Sequence, residues 1–241
     1  MDIKIKKVKI GNQNLSYFAL GKGFPTIVIL GWLASLEQFP FNKVFTKSTN
    51  NKFLNNNKII FLHLSNFGKS SISKKPFTLN NYTDQLDNFI KHKKFKKVNL
   101  IGHSAGGRHV INYVIKHPRK VNKLILLATA GFTPKKPKQT QLERIKYYFY
   151  KLGSTSNEQK NILIETFKNL YNSDLRLSIK TIKTPTLVIW GKKDSTISYK
   201  KAYFFIKNII GCKYIFYKNY GHMLTLKQIV WKKIFLFLNE V

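Results

Sequence analysis

Residues 98–113 read VNLIGHSAGGRHVINY, and no other stretch limits the possible fold as tightly. Residues 98–101 form a short apolar run suited to a buried strand, and residues 109–115 carry helical spacing. Gly102-His103-Ser104-Ala105-Gly106 must therefore turn the chain sharply between the two. A strand that enters a helix through G-x-S-x-G lifts the serine hydroxyl above the sheet on a strained backbone turn. Gly102 and Gly106 are expected to remove side chains that would crowd Ser104, and Gly107 to let the helix approach the strand.

Apolar runs and helical patterns alternate on both sides of this turn. Residues 1–20 alternate lysine with apolar side chains and turn near Gly11-Asn12, which predicts two antiparallel strands. Residues 26–30 (TIVIL), 59–64, 98–101, 123–128, 186–190 and 213–217 predict further strands; the unbroken apolarity of TIVIL implies burial on both faces, as in a parallel sheet. Helices are predicted over residues 39–52, 78–92 with Thr78 as cap, 199–208, and from about residue 227 onward. This alternation predicts an α/β fold with a mostly parallel, doubly wound sheet. Residues 133–172 break the rhythm: Pro134 and Pro137 precede two helical stretches, near 139–152 and 158–171, with no strand between them. The expected division is a core of residues 1–132 and 173–241 with a short helical lid inserted at 133–172.

At 241 residues the chain suffices for one such domain, which would bury about 70–75% of its unfolded surface. Cys212 is the single cysteine, so no intrachain disulfide can form, and a small, buried apolar role is expected of it. No run of about 18 apolar residues suggests a membrane span, and MDIKIKKVKIG lacks the apolar centre of a secretory signal, so a soluble cytoplasmic protein is expected. The net charge of +33 raises the question of nucleic acid. Only four of the 43 basic residues are arginine, however, and the lysines are spread through nearly every segment alongside abundant asparagine, isoleucine, phenylalanine and tyrosine. That is a bias of the whole chain, and it argues against specific nucleic-acid recognition, which favours arginine.

Serine is a weak nucleophile unless a neutral imidazole takes its proton, with a carboxylate holding that imidazole in the right tautomer. In a sheet of this type the three groups follow the chain order serine, acid, histidine, each on a loop after a strand. Asp194 follows the strand 186–190 through Gly191-Lys192-Lys193, and His222 follows the strand 213–217 through Lys218-Asn219-Tyr220-Gly221. The chain has only ten acidic residues, which makes an aspartate at that position the more telling. Asp174 is the reserve acid, although a cap at residues 173–174 is its simpler role. His103 and His109 are assigned to packing, and His63, His92 and His117 have no carboxylate in the required order. A developing oxyanion needs preorganised donors, expected from the backbone N–H of Ala105 and of Trp32. In the lid, the aromatic run 147–150 and the apolar residues around it either line an apolar pocket, with Phe149, Leu152 and Phe167 as candidate substrate contacts, or pack the lid onto the body. No metal-ligand spacing, P-loop or dinucleotide fingerprint is present, so no metal and no cofactor are predicted.

Together these motifs resemble the α/β-hydrolase superfamily over nearly the whole chain. Within it, GHSAGGRHVINYVIKHPRKVNKLILLATAG, PTLVIWGKKD and YGHM are similar to the branch that holds carboxylesterases, acyl-carrier methyl ester esterases and carbon–carbon bond hydrolases. The resemblance implies a Ser104-Asp194-His222 triad with Trp32 and Ala105 as oxyanion donors. It implies cleavage of a small-molecule carboxylic ester, of small to medium apolar acyl group, through an acyl-serine intermediate. The same triad serves carbon–carbon cleavage of a dienol-type diketone, and a ligand-binding role on a hydrolase scaffold is the third reading. Two loops depart from the family pattern: Leu30-Gly31 stands where members often carry His-Gly, and His63-Leu64-Ser65-Asn66-Phe67-Gly68-Lys69-Ser70 where Asp-x-Pro-Gly-x-Gly-x-Ser is common. Both bear on substrate preference. Serine at position 104 disfavours the branches with an aspartate nucleophile.

Overall fold

The computed structural model describes residues 4–31, 36, 39–45, 53–130, 143 and 156–240. Strands β1 (Lys6–Ile10) and β2 (Gln13–Leu20) pair antiparallel around Gly11, whose φ of +57° suits glycine. β1 buries alternate side chains, as an edge strand with one wet face should. Next come β3 (Phe24–Ile29), β4 (Asn57–His63), β5 (Val98–His103), β6 (Val121–Leu127), β7 (Thr186–Gly191) and β8 (Lys213–Tyr217). Among the described residues these form one eight-stranded sheet in the order β1-β2-β4-β3-β5-β6-β7-β8. β2 runs antiparallel to β1 and β4, and every other neighbouring pair is parallel. Residues 26–30, the TIVIL run, are all buried, as their continuous apolarity predicted, and so is every residue of β5 and β7. The fold is therefore the α/β-hydrolase sheet.

The described helices are α1 (Phe41–Val44), α2 (Leu79–His92), α3 (Gly106–Lys116), α4 (Asn157–Asn172), α5 (Arg176–Ile179), α6 (Ala202–Asn208) and α7 (Gln228–Leu238). Thr78 caps α2 as predicted: its Oγ1 accepts from Asn81 N at 3.3 Å while Asn81 Oδ1 accepts from Thr78 N at 2.8 Å. On one side of the sheet α7 packs Trp231 against Phe45 and Phe61, with ring centroids 4.8 and 5.7 Å away. Lys123, out of place in an apolar strand, is buried with Nζ donating to Phe237 O at 2.8 Å and Glu240 O at 2.5 Å, a cation closing the C-terminal end of α7.

Two predicted helices differ. Of the one predicted over residues 39–52, the described residues show α1, which ends where Phe45 leaves helical geometry (φ −110°, ψ 79°) with its ring against Phe61 and Trp231. Residues 46–52 and most of the first predicted lid helix, 139–152, lie outside the described residues. The helix predicted over 199–208 opens as a single 3-10 turn, Tyr199–Lys201, before α6. No helix among the described residues is long and apolar enough to cross a membrane.

Candidate active site

The sheet register sets the site. Ile29 lies opposite Gly102, His103 opposite Leu127, Leu127 opposite Ile189 and Gly191 opposite Tyr217, so the carboxyl ends of β3, β5, β6, β7 and β8 align along one edge. Ser104 lies just past that edge with φ +53°, a left-handed conformation unusual for any residue but glycine. Three backbone hydrogen bonds hold it: Ser104 N donates to Leu127 O at 3.0 Å, and Ser104 O accepts from Gly107 N at 3.1 Å and Ala130 N at 2.8 Å. Such strain persists only where the surroundings over-determine it.

The glycines divide the work differently from expectation. A Cβ on Gly102 would stand 2.5 Å from Val110 Cγ2 and 2.6 Å from Gly107 Cα, and one on Gly106 would stand 2.1 Å from Ile29 O. Both therefore permit α3 to lie close against β5 and β3. The glycine that leaves room for the serine is Gly31, beyond the end of β3: its Cβ would come within 2.8 Å of Ser104 Cβ and 3.1 Å of Oγ. The physical reason is that Gly31 follows β3, the strand paired directly with β5, so its backbone lies beside Ser104.

Asp194 and His222 meet across the next two loops. His222 Nδ1 lies 2.8 Å from Asp194 Oδ2, and Asp194 Oδ1 accepts from Thr196 N at 2.9 Å and Ile197 N at 2.8 Å. The Asp194 side chain is fully buried and that of His222 is 14% exposed. A carboxylate so held fixes the imidazole with its Nδ1 proton toward Asp194, leaving Nε2 as the basic nitrogen. The two loops are also joined through backbone: Lys193 N donates to Tyr220 O at 3.0 Å, and a Cβ on Gly191 would stand 2.1 Å from that same oxygen.

His103, assigned to packing, lies beside this pair. Its Nε2 is 3.0 Å from His222 O, and the two rings are 5.0 Å apart. Burial holds its pKa down to about 4, so it is neutral near pH 7 and its Nε2–H donates to the carbonyl. The sequence signal for it was its position, next to Ser104 at the end of a buried strand. His109 does pack, between Phe67 and Tyr82 at 5.8 and 4.6 Å. Asp174, the reserve acid, is paired with Arg176: its Oδ1 accepts from Arg176 N at 2.9 Å and its Oδ2 from Arg176 Nη2 at 2.6 Å, while the N-cap of α5 is Leu175 and not the expected 173–174.

Ala105 is the N-cap of α3, so its N–H is at the end where helix amides have no partner within the helix. Trp32, Phe149 and Leu152 lie outside the described residues. Phe167, on α4, is buried with its ring 4.5 Å from that of Tyr171. The divergent loop after β4 keeps a tight turn with different residues: Asn66 (φ +72°) and Gly68 (φ +50°) take left-handed positions, and asparagine is one of few side chains that tolerate them. Asn66 Oδ1 accepts from Ser73 N at 2.8 Å, and its Nδ2 donates to Tyr82 Oη at 2.9 Å.

Residues 27–160, more than half of the chain, match the family model for the alpha/beta hydrolase fold, and the chain belongs to that family. It is 23% identical over 233 residues to a 2-hydroxy-6-oxo-6-(2'-aminophenyl)hexa-2,4-dienoic acid hydrolase of Metapseudomonas resinovorans, covering 83% of this chain and 78% of that one. With the monoacylglycerol lipase ABHD6 of Homo sapiens it shares 21% identity over 203 residues, 67% of this chain and 60% of the other. Among solved structures, the esterase EaEST of Exiguobacterium antarcticum superposes with a TM-score of 0.74 at 20% identity, covering 96% of this chain and 97% of that one.

Proposed function

We propose that the protein is a serine hydrolase that cleaves carboxylic esters of small to medium apolar acyl groups, with Ser104, His222 and Asp194 as triad. The observation that carries this reading is the 2.8 Å Nδ1···Oδ2 pair of His222 and Asp194 on adjacent loops, at the same sheet edge as the left-handed Ser104. His222 Nε2 removes the proton as Ser104 Oγ attacks the ester carbonyl carbon. The negative charge that develops on the carbonyl oxygen is met by the N–H of Ala105 and, in this reading, of Trp32, the residue after the Gly31 that abuts Ser104. Collapse breaks the carbon–oxygen bond, and His222 returns its proton to the leaving alkoxide. Water, deprotonated by the same imidazole, then releases the acid and restores the serine. Residues 133–172 are read as a lid inserted into the core of 1–132 and 173–241, with α4 as its described helix.

The relative named as a dienoic acid hydrolase favours a second reading, hydrolysis of a carbon–carbon bond in a dienol-type diketone by the same three side chains. Turnover of p-nitrophenyl esters and of such a diketone, each by wild type and Ser104→Ala, tests both. Ester cleavage that disappears in the variant supports the first. Diketone cleavage without ester cleavage replaces it with the second, and ester cleavage that survives in Ser104→Ala rejects the triad.

A further inference from the structure

The base of the proposed triad follows a thinly supported strand. β8 ends the sheet with β7 as its neighbour, and its residues are exposed or half-buried. In the loop that leads on to His222, Lys218 and Asn219 are exposed and Tyr220 and Gly221 half-buried, and Met223 just beyond is 49% exposed. Ser104, by contrast, is held by its three backbone hydrogen bonds. β5 and β8 lie three strand spacings apart, about 14 Å. Proton transfer between side chains carried by the two needs them held to within about 0.5 Å.

Two ties of the His222 loop, the His222–Asp194 pair and the bond from Lys193 N to Tyr220 O, lead to the loop after β7 and fix the base against the acid. A third leads to the nucleophile's own strand. His103, the residue before Ser104, places Nε2 3.0 Å from His222 O, the carbonyl that also accepts from the N–H of buried Leu224 at 2.9 Å. A carbonyl oxygen has two lone pairs and can take both donors. His222 becomes a cation when it takes the serine proton, and its ring is 5.0 Å from that of His103. A lysine or arginine donor in this place would oppose that charge, whereas an imidazole kept neutral by burial donates without doing so.

We propose that His103 is a positioning residue for the reaction: by donating its Nε2–H to the backbone carbonyl of His222 it ties the main chain of the base to the strand of the nucleophile, and so sets the approach of His222 Nε2 to Ser104 Oγ. The part in the reaction rests on the Ser104, His222 and Asp194 reading. The tie itself does not.

Fluorophosphonate labelling of the full chain, followed in time, separates position from folding: the final extent counts folded sites, and the rate per site reports the alignment of base and nucleophile. His103→Phe should label to the same extent as wild type but about 10–100-fold more slowly, and should lower kcat for p-nitrophenyl acetate by a similar factor with KM within about twofold. His103→Gln, whose amide N–H can reach the same carbonyl, should recover both rates to within about threefold of wild type. A His103→Phe rate equal to wild type, or a His103→Gln rate as low as that of His103→Phe, overturns the proposal. Should His103→Phe fail to fold, His103→Leu takes its place under the same outcomes. Hydrogen–deuterium exchange reads the tie without turnover: amides of residues 218–224 should exchange several-fold faster in His103→Phe and return toward wild type in His103→Gln, and unchanged exchange overturns the proposal. A wild type that stays unlabelled rejects the triad, and with it the part of His103 in the reaction, even where exchange shows the tie.

Discussion

Acidification should weaken this fold through two imidazoles that it buries in neutral form. His103 is 4% exposed at the end of β5, and burial holds its pKa down to about 4 from an ordinary 6.5. His109 is 1% exposed between Phe67 and Tyr82, and burial, reinforced by the Arg108 charge, holds it down to about 3. In the unfolded chain both take up protons near their ordinary value. Between that value and about pH 4 the unfolded state therefore binds more protons than the folded one, and stability rises with pH. The contribution is complete above the unfolded value and is lost as the pH falls toward the folded values. Each histidine supplies a slope of about 1.4 kcal/mol per pH unit, so a fall to about pH 5 removes about 2 kcal/mol through each and about 4 kcal/mol through both. That is a large share of the roughly 5–15 kcal/mol typical of a folded domain. Urea denaturation at about pH 7.5 and about pH 5 measures the loss, and His109→Leu isolates one half of it: the variant should lose about 2 kcal/mol less than wild type over this range. Equal losses in the two proteins would refute the reasoning.

Three further substitutions follow from the geometry. Asp194→Asn should leave the circular dichroism spectrum intact and lower kcat for p-nitrophenyl acetate by about 10³–10⁴-fold, since the amide no longer holds the imidazole in its basic tautomer; a loss below about tenfold would contradict the assignment. Gly31→Ala places a methyl 2.8 Å from Ser104 Cβ and should lower kcat/KM at least about tenfold at a stability cost of about 1–3 kcal/mol, read by paired kinetics and denaturation. Thr78→Ala removes the cap of α2 and should cost about 1 kcal/mol in urea denaturation without altering kcat.

The strands and the chain order of the site were readable because they rest on local signals. Residues 98–101 form a mainly apolar run and all of β5 is buried, G-x-S-x-G can link a strand to a helix in few ways, and Asp194 and His222 each follow a strand by a few residues. What escaped depends on neighbours distant in sequence. Gly31 matters to Ser104 only because β3 lies beside β5 in the sheet, an order that local patterns do not reveal. His103 finds its partner 119 residues away and Arg108 finds its partners 62 and 65 residues away, so both look like ordinary members of a buried strand and a helix. Lys123 reads as an interruption of an apolar strand until the carbonyls ending α7 are brought over it. The departure at Asn66 is conservative in backbone terms, since its side chain both tolerates the left-handed turn and ties it to Ser73 and Tyr82.

The central claim is that Ser104 is an activated nucleophile. Labelling the purified chain with a fluorophosphonate probe, beside Ser104→Ala and His222→Ala, tests it most directly. The account predicts stoichiometric modification of Ser104 in wild type, none in Ser104→Ala, and labelling slowed by several orders of magnitude in His222→Ala. A folded wild type that remains unlabelled, or a Ser104→Ala variant that labels as fast as wild type, would contradict it.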